Sequence, residues 1–452
     1  MNPAGPALTY DTGMISMSSL TQAFRSLRIR NYRLFWFGQL VSVSGSWMQD
    51  VALSWLVLTL TDSPVALGLT MAIRFGPALL FSLHGGVLAD RLPKRPTVLA
   101  AQVLQLILAL ALAILTDLEV ITVALIYSLA AVRGIGEAIE APTRQSFVIE
   151  MVGPADLPNA VALNSTLFNS ARIVGPAIGA AVISAFGIAA CFYVNAVTFL
   201  APIAGLLAMR PSELYIAPRP PRESSFQALR AGLRYARSTP EVVIILIVAG
   251  TMGAFGYNLQ TLLPLVTKYV LSTGASTLAL LTTTMGIGSV MAGVFVAYRG
   301  RLTRGLLLGA SAVFTVLLGL IGLSQWRLLT AGLLLMAGFA GVLFMTTANT
   351  RLQLQVPDHL RGRVMGMYFL VFIGTTPIGS YLIGFLAEHL SSDDRVAVRG
   401  TVFILAGLCA AGILTASIYA RRTASKAVQT AGEDDDSEGG DGGEEDAGWS
   451  TR

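Results

Sequence analysis

Twelve long, mostly apolar stretches run through this chain, near residues 34–60, 65–89, 97–116, 120–141, 160–186, 189–209, 242–270, 276–298, 305–324, 328–350, 362–389 and 400–420. About 20 apolar residues carry a helix across the hydrocarbon core of a bilayer. Hydrocarbon offers no partner to a backbone N–H or C=O, so only helices and closed barrels span it. Runs of this length predict an all-α membrane protein with twelve transmembrane helices. Only 13% of the 452 residues are charged, against about a quarter in a soluble domain.

The connections between runs alternate in character. One set is short and rich in turn residues: "LTDSP", "TDLE", "FG", "STGAS", "SQW" and "SSDD". The other set is longer and basic. Of the 31 Lys and Arg residues, 23 fall on the basic side and four on the other. Cytoplasmic loops carry the excess of cations, which places both termini in the cytoplasm of a plasma (inner) membrane protein. The same placement reads the basicity as attraction to anionic lipid at the inner leaflet rather than as a nucleic-acid surface.

Sites for other chemistry are absent from the sequence. Cys191 and Cys409 both lie in apolar runs, and His84, His359 and His389 are scattered without an HExxH spacing. No GxSxG and no glycine loop followed by lysine occurs, so no metal, cofactor or enzymatic function is expected. The first 30 residues lack a continuous apolar core, unlike a secretory signal.

The chain also repeats weakly at an offset of 207. "GVLADRLPKR" from Gly86 aligns with "GVFVAYRGRLTR" from Gly293, and "APTRQ" from Ala141 with "ANTRL" from Ala348. Two six-helix halves related in parallel are an architecture of secondary transporters. The expected organisation is a cytoplasmic segment 1–30, a first half 31–209, a linker 210–240, a second half 241–424 and a disordered acidic tail 425–452. The linker contains "SSFQALRAGLRYARS", an amphipathic helix for the inner leaflet or the underside of the bundle. The tail holds nine of the 26 acidic residues between Glu433 and Asp446.

Twelve spans in two halves, with G-x-x-x-D-R-x-P-K-R after the second, resemble the major facilitator superfamily. Gly86, Asp90, Arg91, Lys94 and Arg95 match that family's loop signature, with Pro93 in place of a glycine. "RNYRLFWFGQLVSVSGSWMQDVALSWLVLTLTDSP", "APTRQSFVIEMV" and "LRGRVMGMYFLVFIGTTPIGS" resemble its bacterial efflux branch, which includes siderophore and macrolide exporters. The resemblance implies two pseudo-symmetric six-helix bundles and an inner gate, in which the loop cations meet an acid on span four. Glu140 is the first choice for that acid and Glu137 the second. "ARIVGPAIGA" resembles the family's antiporter motif through Gly175, Pro176 and Gly179, with Ala162 and Ala171 where two further glycines belong.

Ionisable groups inside a membrane cost at least ~2.5 kcal/mol and usually have a partner or a task. Asp50 and Arg74 each lie about three residues outside the midpoint of their spans, close enough in depth to pair. They are candidates for proton coupling, or form a permanent ion pair between helices. Arg133, Glu137 and Glu140 share one face of span four. Arg172, near mid-membrane in span five, either meets an anionic group of a substrate or pairs with Glu137. Trp47 and Ser54 share the face of Asp50, and Tyr257 and Asn258 interrupt span seven. These, with Arg172, Tyr368 and Phe372, are the candidate cavity residues, although aromatics at such positions also serve plain packing. The sequence thus predicts a monomeric secondary-active transporter, driven by a proton gradient and exporting an amphipathic small molecule. Uptake, facilitated diffusion and a non-transporting sensor on the same fold are the competing readings.

Overall fold

The computed structural model describes the backbone of residues 24–215, 233–299 and 302–438, and the side chains there except at 81–91, 297, 358–359 and 424–438. All regular elements among these residues are helical. In chain order they are α1 (Arg30–Thr61), α2 (Pro64–Arg91), α3 (Lys94–Asp117), α4 (Val123–Phe186), α5 (Ile188–Thr198), α6 (Leu200–Leu207) and α7 (Pro240–Thr251). There follow α8 (Leu259–Leu265), α9 (Ala275–Arg299), α10 (Arg304–Leu323), α11 (Arg327–Gln355), α12 (Asp358–Ile373), α13 (Thr376–His389) and α14 (Asp394–Glu438).

The ends of these helices follow from local chemistry. Thr122 and Thr303 each cap a helix, accepting from Leu125 N and Leu306 N. Ser63 accepts from Ala66 N at the start of α2, and Asp393 accepts from Val396 N at the start of α14. Asp62, Glu119 and Ser272 turn the chain with positive φ at the ends of α1, α3 and the seventh run.

Nine helical stretches among the described residues are long and apolar enough to cross a membrane. Three features separate that number from the twelve runs of the sequence. The 32-residue α1 carries Gln39, Ser42, Gln49, Asp50 and Ser54, which lower its hydropathy. In α2 the apolar stretch spans Pro64–Leu80 only. The 64-residue α4 holds two runs in one element, bent at Gly153, whose φ of 73° is open to glycine at little cost. An added Cβ at Gly153 would also lie 2.9 Å from the Tyr215 ring. The connection expected between runs four and five is therefore itself helical.

Two compact units emerge: Met1–Leu53 with Leu83–Pro221, and Ser54–Ser82 with Arg222–Arg452. The first has a core of Tyr32, Phe35, Trp36, Phe147, Met151 and Leu163. Tyr32 Oη donates to Ala160 O at 2.8 Å and Trp36 Nε1 to Leu163 O at 3.0 Å, so both polar tips are satisfied inside it. Close helix approach depends on small residues. An added Cβ at Gly38 would come within 2.7 Å of Pro202 Cα.

The second unit takes in the stretch 54–82, which a division at the linker assigns to the first half. Its α2 segment packs so tightly on α13 that an added Cβ at Gly68 would lie 3.1 Å from Gly384 Cα. In the same unit α9 crosses α11, with Gly288 against the Leu335 carbonyl and Gly338 against the Met285 carbonyl. The final helix α14 runs on to Glu438, into the segment expected to be disordered from 425. Alanines and long polar side chains in "ASKAVQTA" propagate a helix that the membrane run has already nucleated. Residues 439–452, and Phe226 and Leu229 of the linker's amphipathic pattern, lie outside the described residues; 233–238 are helical.

Gly288→Ala places a methyl group against a backbone carbonyl, so it should lower stability by about 1–3 kcal/mol. Gly309→Ala, which meets open space, should leave stability unchanged or slightly raised. Thermal unfolding of the full-length protein in detergent compares the two.

Candidate transport site

The first unit buries a cluster of three charges. Asp50 on α1 is 8% exposed and Arg133 on α4 is 5% exposed. Arg133 Nη1 donates to Asp50 Oδ1 at 2.9 Å. Its Nε donates to Glu137 Oε1 at 2.8 Å, one helical turn along. The two carboxylates differ in setting, the Asp50 side chain being 10% exposed and that of Glu137 31%. Arg133 is thus a shared partner, bonded to both carboxylates at once through different nitrogens. The sequence singled out Asp50 and Glu137 as separate candidates and placed Arg133 beside Glu137 without joining it to Asp50. Arg74 falls in the second unit, 7% exposed, with its guanidinium 5.0 Å from the Phe75 ring centroid.

The glycines of the antiporter-like motif define how α4 meets α1. An added Cβ at Gly175 would come within 2.6 Å of Trp47 Cβ, and one at Gly179 within 3.3 Å of Met48 Cγ. Pro176 continues this buried face. Arg172, one turn before Gly175, lies over the Trp47 ring with its guanidinium carbon 5.3 Å from the centroid. Trp47 and Arg172 remain partly exposed, whereas Ser54 is 3% exposed. Glu137 pairs with Arg133.

At the loop signature, the side chains of Gly86, Asp90 and Arg91 lie outside the described residues. Arg95 donates to the carbonyls of Leu206 and Leu207 at 2.8 and 3.3 Å, binding the end of α6. Lys94 opens α3. Glu140 is buried and pairs with Arg144 at 2.8 Å on its own helix. Arg144 also lies over the Phe168 ring at 4.8 Å.

In the second unit the seventh run breaks where Tyr257 and Asn258 suggested. A π-helical turn, Met252–Gly256, ends α7, and Asn258 repairs the break. Its Nδ2 donates to Gly253 O and Ala254 O at 2.9 and 2.8 Å, and its Oδ1 accepts from Ser380 Oγ at 3.1 Å. Asn258 is therefore 3% exposed and holds backbone together. Tyr257 is partly exposed; its ring lies against Phe314 and Phe372, with centroids at 6.1 and 5.7 Å. Tyr368 stacks on Phe372 at 6.0 Å, and Phe344 completes the group. Tyr368 and Phe372 are 1% and 7% exposed, packed among aromatic neighbours.

Two further polar clusters in this unit carry no motif in the sequence. Glu241, in the first turn of α7, receives Arg304 Nε at 2.7 Å and Arg351 Nε at 2.9 Å. It ties α7, α10 and α11 together with cations that the sequence reads as topology markers. At the turn between α1 and α2, Asp62 Oδ1 accepts from Lys268 Nζ at 2.7 Å and Tyr269 Oη at 2.8 Å. Glu388 on α13 accepts from Ser63 Oγ and, at 2.9 Å, from Val65 N. Lys268, then Tyr269, hold the Asp62 carboxyl below the usual carboxylate range. Its contribution is present above the ordinary carboxylate pKa and is lost only as pH falls through the lowered value. The Asp62 carboxylate therefore stays charged near neutral pH.

A family model described as "Transmembrane secretion effector" matches residues 21–431. The chain belongs to the major facilitator superfamily. This transporter is 25% identical over 375 residues to the staphyloferrin A transporter of Staphylococcus aureus, covering 79% of this chain and 89% of that protein. It is 23% identical over 398 residues to the enterobactin exporter EntS of Escherichia coli K12, covering 87% and 94%. Among solved structures, the nucleoside transporter NupG superposes with a TM-score of 0.66 at 14% identity, over 87% of this chain and 98% of that one. A POT family transporter in complex with 5-aminolevulinic acid gives 0.70 at 11%, over 87% and 96%. These structures share the fold. The protein is thus a multi-pass membrane transporter of the major facilitator type, with siderophore exporters among its relatives.

Removing Arg133 leaves Asp50 and Glu137 without their shared cation. Arg133→Leu should destabilise by about 3–5 kcal/mol, and adding Asp50→Asn should restore part of that loss. Folded yield and thermal unfolding of the single and double variants measure the recovery.

Proposed function

We propose that this transporter exports an amphipathic small molecule, a siderophore or similar compound, by alternating access driven by proton entry. The observation that carries the coupling is the Arg133 guanidinium shared between Asp50 and Glu137 inside the membrane segment. A proton arriving at Asp50 releases Arg133 to Glu137, and the exchange gives α1 and α4 two alternative bonded arrangements. Charge inside a bilayer is kept where ions or protons move, because its desolvation otherwise only costs stability. The siderophore relatives support the cargo class, and the Gly175-Pro176-x-x-Gly179 face on α1 supports exchange against protons.

The topology we propose has twelve spans in two six-helix halves, with both termini on the cytoplasmic face of the plasma membrane. The basic connections meet anionic lipid there, and the working unit is a monomer. The loop signature, Gly86 to Arg95, acts as an inner gate. The clamp of Asp62 and Glu388 on Lys268, Tyr269, Ser63 and Val65 joins connections that this topology assigns to the outer side.

Everted vesicles test the reading, with enterobactin, a macrolide and ethidium as probes. Acidifying the vesicle interior should drive uptake of at least one probe, and a protonophore should stop it. Asp50→Asn, at normal membrane levels, should abolish the dependence on the gradient. Gradient-independent uptake by the wild type, or full coupling in Asp50→Asn, would contradict the proposal.

A further inference from the structure

Arg172 is held in the first unit without being hydrogen-bonded. Its Nε and Nη1 are both buried, and neither has a hydrogen-bond partner. Together they carry three of the five N–H donors of a group that stays protonated at every physiological pH. What holds it is the face of Trp47, 5.3 Å from ring centroid to guanidinium carbon. A cation–π contact attracts the charge through the ring quadrupole and leaves the N–H donors unused. A buried donor left unsatisfied costs about 1–3 kcal/mol, more when it is charged.

The surroundings are built rather than accidental. Gly175, one turn on, lets the α1 backbone come so near that an added Cβ would overlap Ser44 O and Trp47 Cβ. This fixes Trp47 beneath the guanidinium. Asp50 and Glu137 pair with Arg133, and Glu140 pairs with Arg144. Arg172 as a whole residue is partly exposed. It stands fourteen residues before the end of α4 at Phe186, about 20 Å along the helix, which puts it far from lipid headgroups.

We propose that Arg172 is an anion receptor for the cargo, taking a carboxylate on its guanidinium fork while Trp47 positions it. A bidentate Arg–carboxylate pair satisfies two donors at once, through hydrogen bonds roughly twice as strong as neutral ones. The specificity that follows is for small molecules carrying a carboxylate, over neutral or cationic ones of similar shape. That the bound carboxylate belongs to an exported cargo rests on the exporter reading; that Arg172 binds carboxylates does not.

The experiment is equilibrium binding to the full-length protein in lipid nanodiscs, with no gradient, read by fluorescence anisotropy. Carboxyfluorescein is the anionic probe and tetramethylrhodamine ethyl ester the cationic one. The wild type should prefer carboxyfluorescein, and excess benzoate should displace it where benzamide does not. Arg172→Gln should bind the anionic probe about ten- to hundredfold more weakly, with the cationic probe unaffected. Arg172→Lys, which keeps the charge but loses the fork, should fall between. A wild type without preference for the anion, or Arg172→Gln binding it as well as the wild type, would overturn the proposal. Wild-type selectivity and benzoate displacement need no variant to fold. Loss of gradient-driven flux with this binding intact would count against the exporter reading alone.

Discussion

Hydrocarbon supplies no hydrogen-bond partner and no solvation for charge, so each departure from a plain apolar helix must be answered inside the protein. The seventh run unwinds into a π-turn at Met252–Gly256, and Asn258 meets the freed carbonyls of Gly253 and Ala254. Glu241 enters the second unit with two arginines around it. Asp50 enters the first unit with Arg133, and Arg133 brings Glu137. The same constraint makes Arg172 conspicuous, since its buried Nε and Nη1 are met by an aromatic face and by no acceptor.

Packing follows the same logic at a different scale. Apolar side chains gain little from meeting one another in place of lipid, so helices associate by shape and close approach. Gly38 on Pro202, Gly68 on Gly384, Gly175 on Trp47 and Gly288 on Leu335 mark the crossings where backbones nearly touch. The Gly175 crossing has a second consequence, because it sets Trp47 of α1 against the stretch of α4 that carries Arg172. Arg133 reaches Asp50 from the other arm of α4, before the bend at Gly153.

Much of this is legible in the sequence. Apolar runs and turn chemistry locate nearly every helix, since "LTDSP" and "SSDD" contain the Ser63 and Asp393 that cap α2 and α14. Asp50, Glu137, Arg172, Trp47 and Tyr257 stand out as polar or aromatic groups at membrane depth. Arg133 as a partner of Asp50 does not, because depth along a span gives no rotation about it. The packing of α4 on α1 is what brings Arg133 to Asp50. Glu241 sits near a run's end, where an acid at a helix N-terminus needs no special explanation. The repeat also misleads there: Arg144 and Arg351 are 207 residues apart, yet one pairs along its own helix and the other across to Glu241. The grouping of 54–82 with the second unit depends on contacts at Gly68 and Asp62 that no local pattern encodes.

The central claim is that Asp50 gains and loses a proton while Arg133 passes between two carboxylates. Infrared difference spectroscopy of the full-length protein in lipid, taken across a pH step, observes this directly. The account predicts a protonated carboxyl C=O stretch that appears on acidification in the wild type and is missing in Asp50→Asn. The same band in both proteins, or no such band in the wild type, would contradict it.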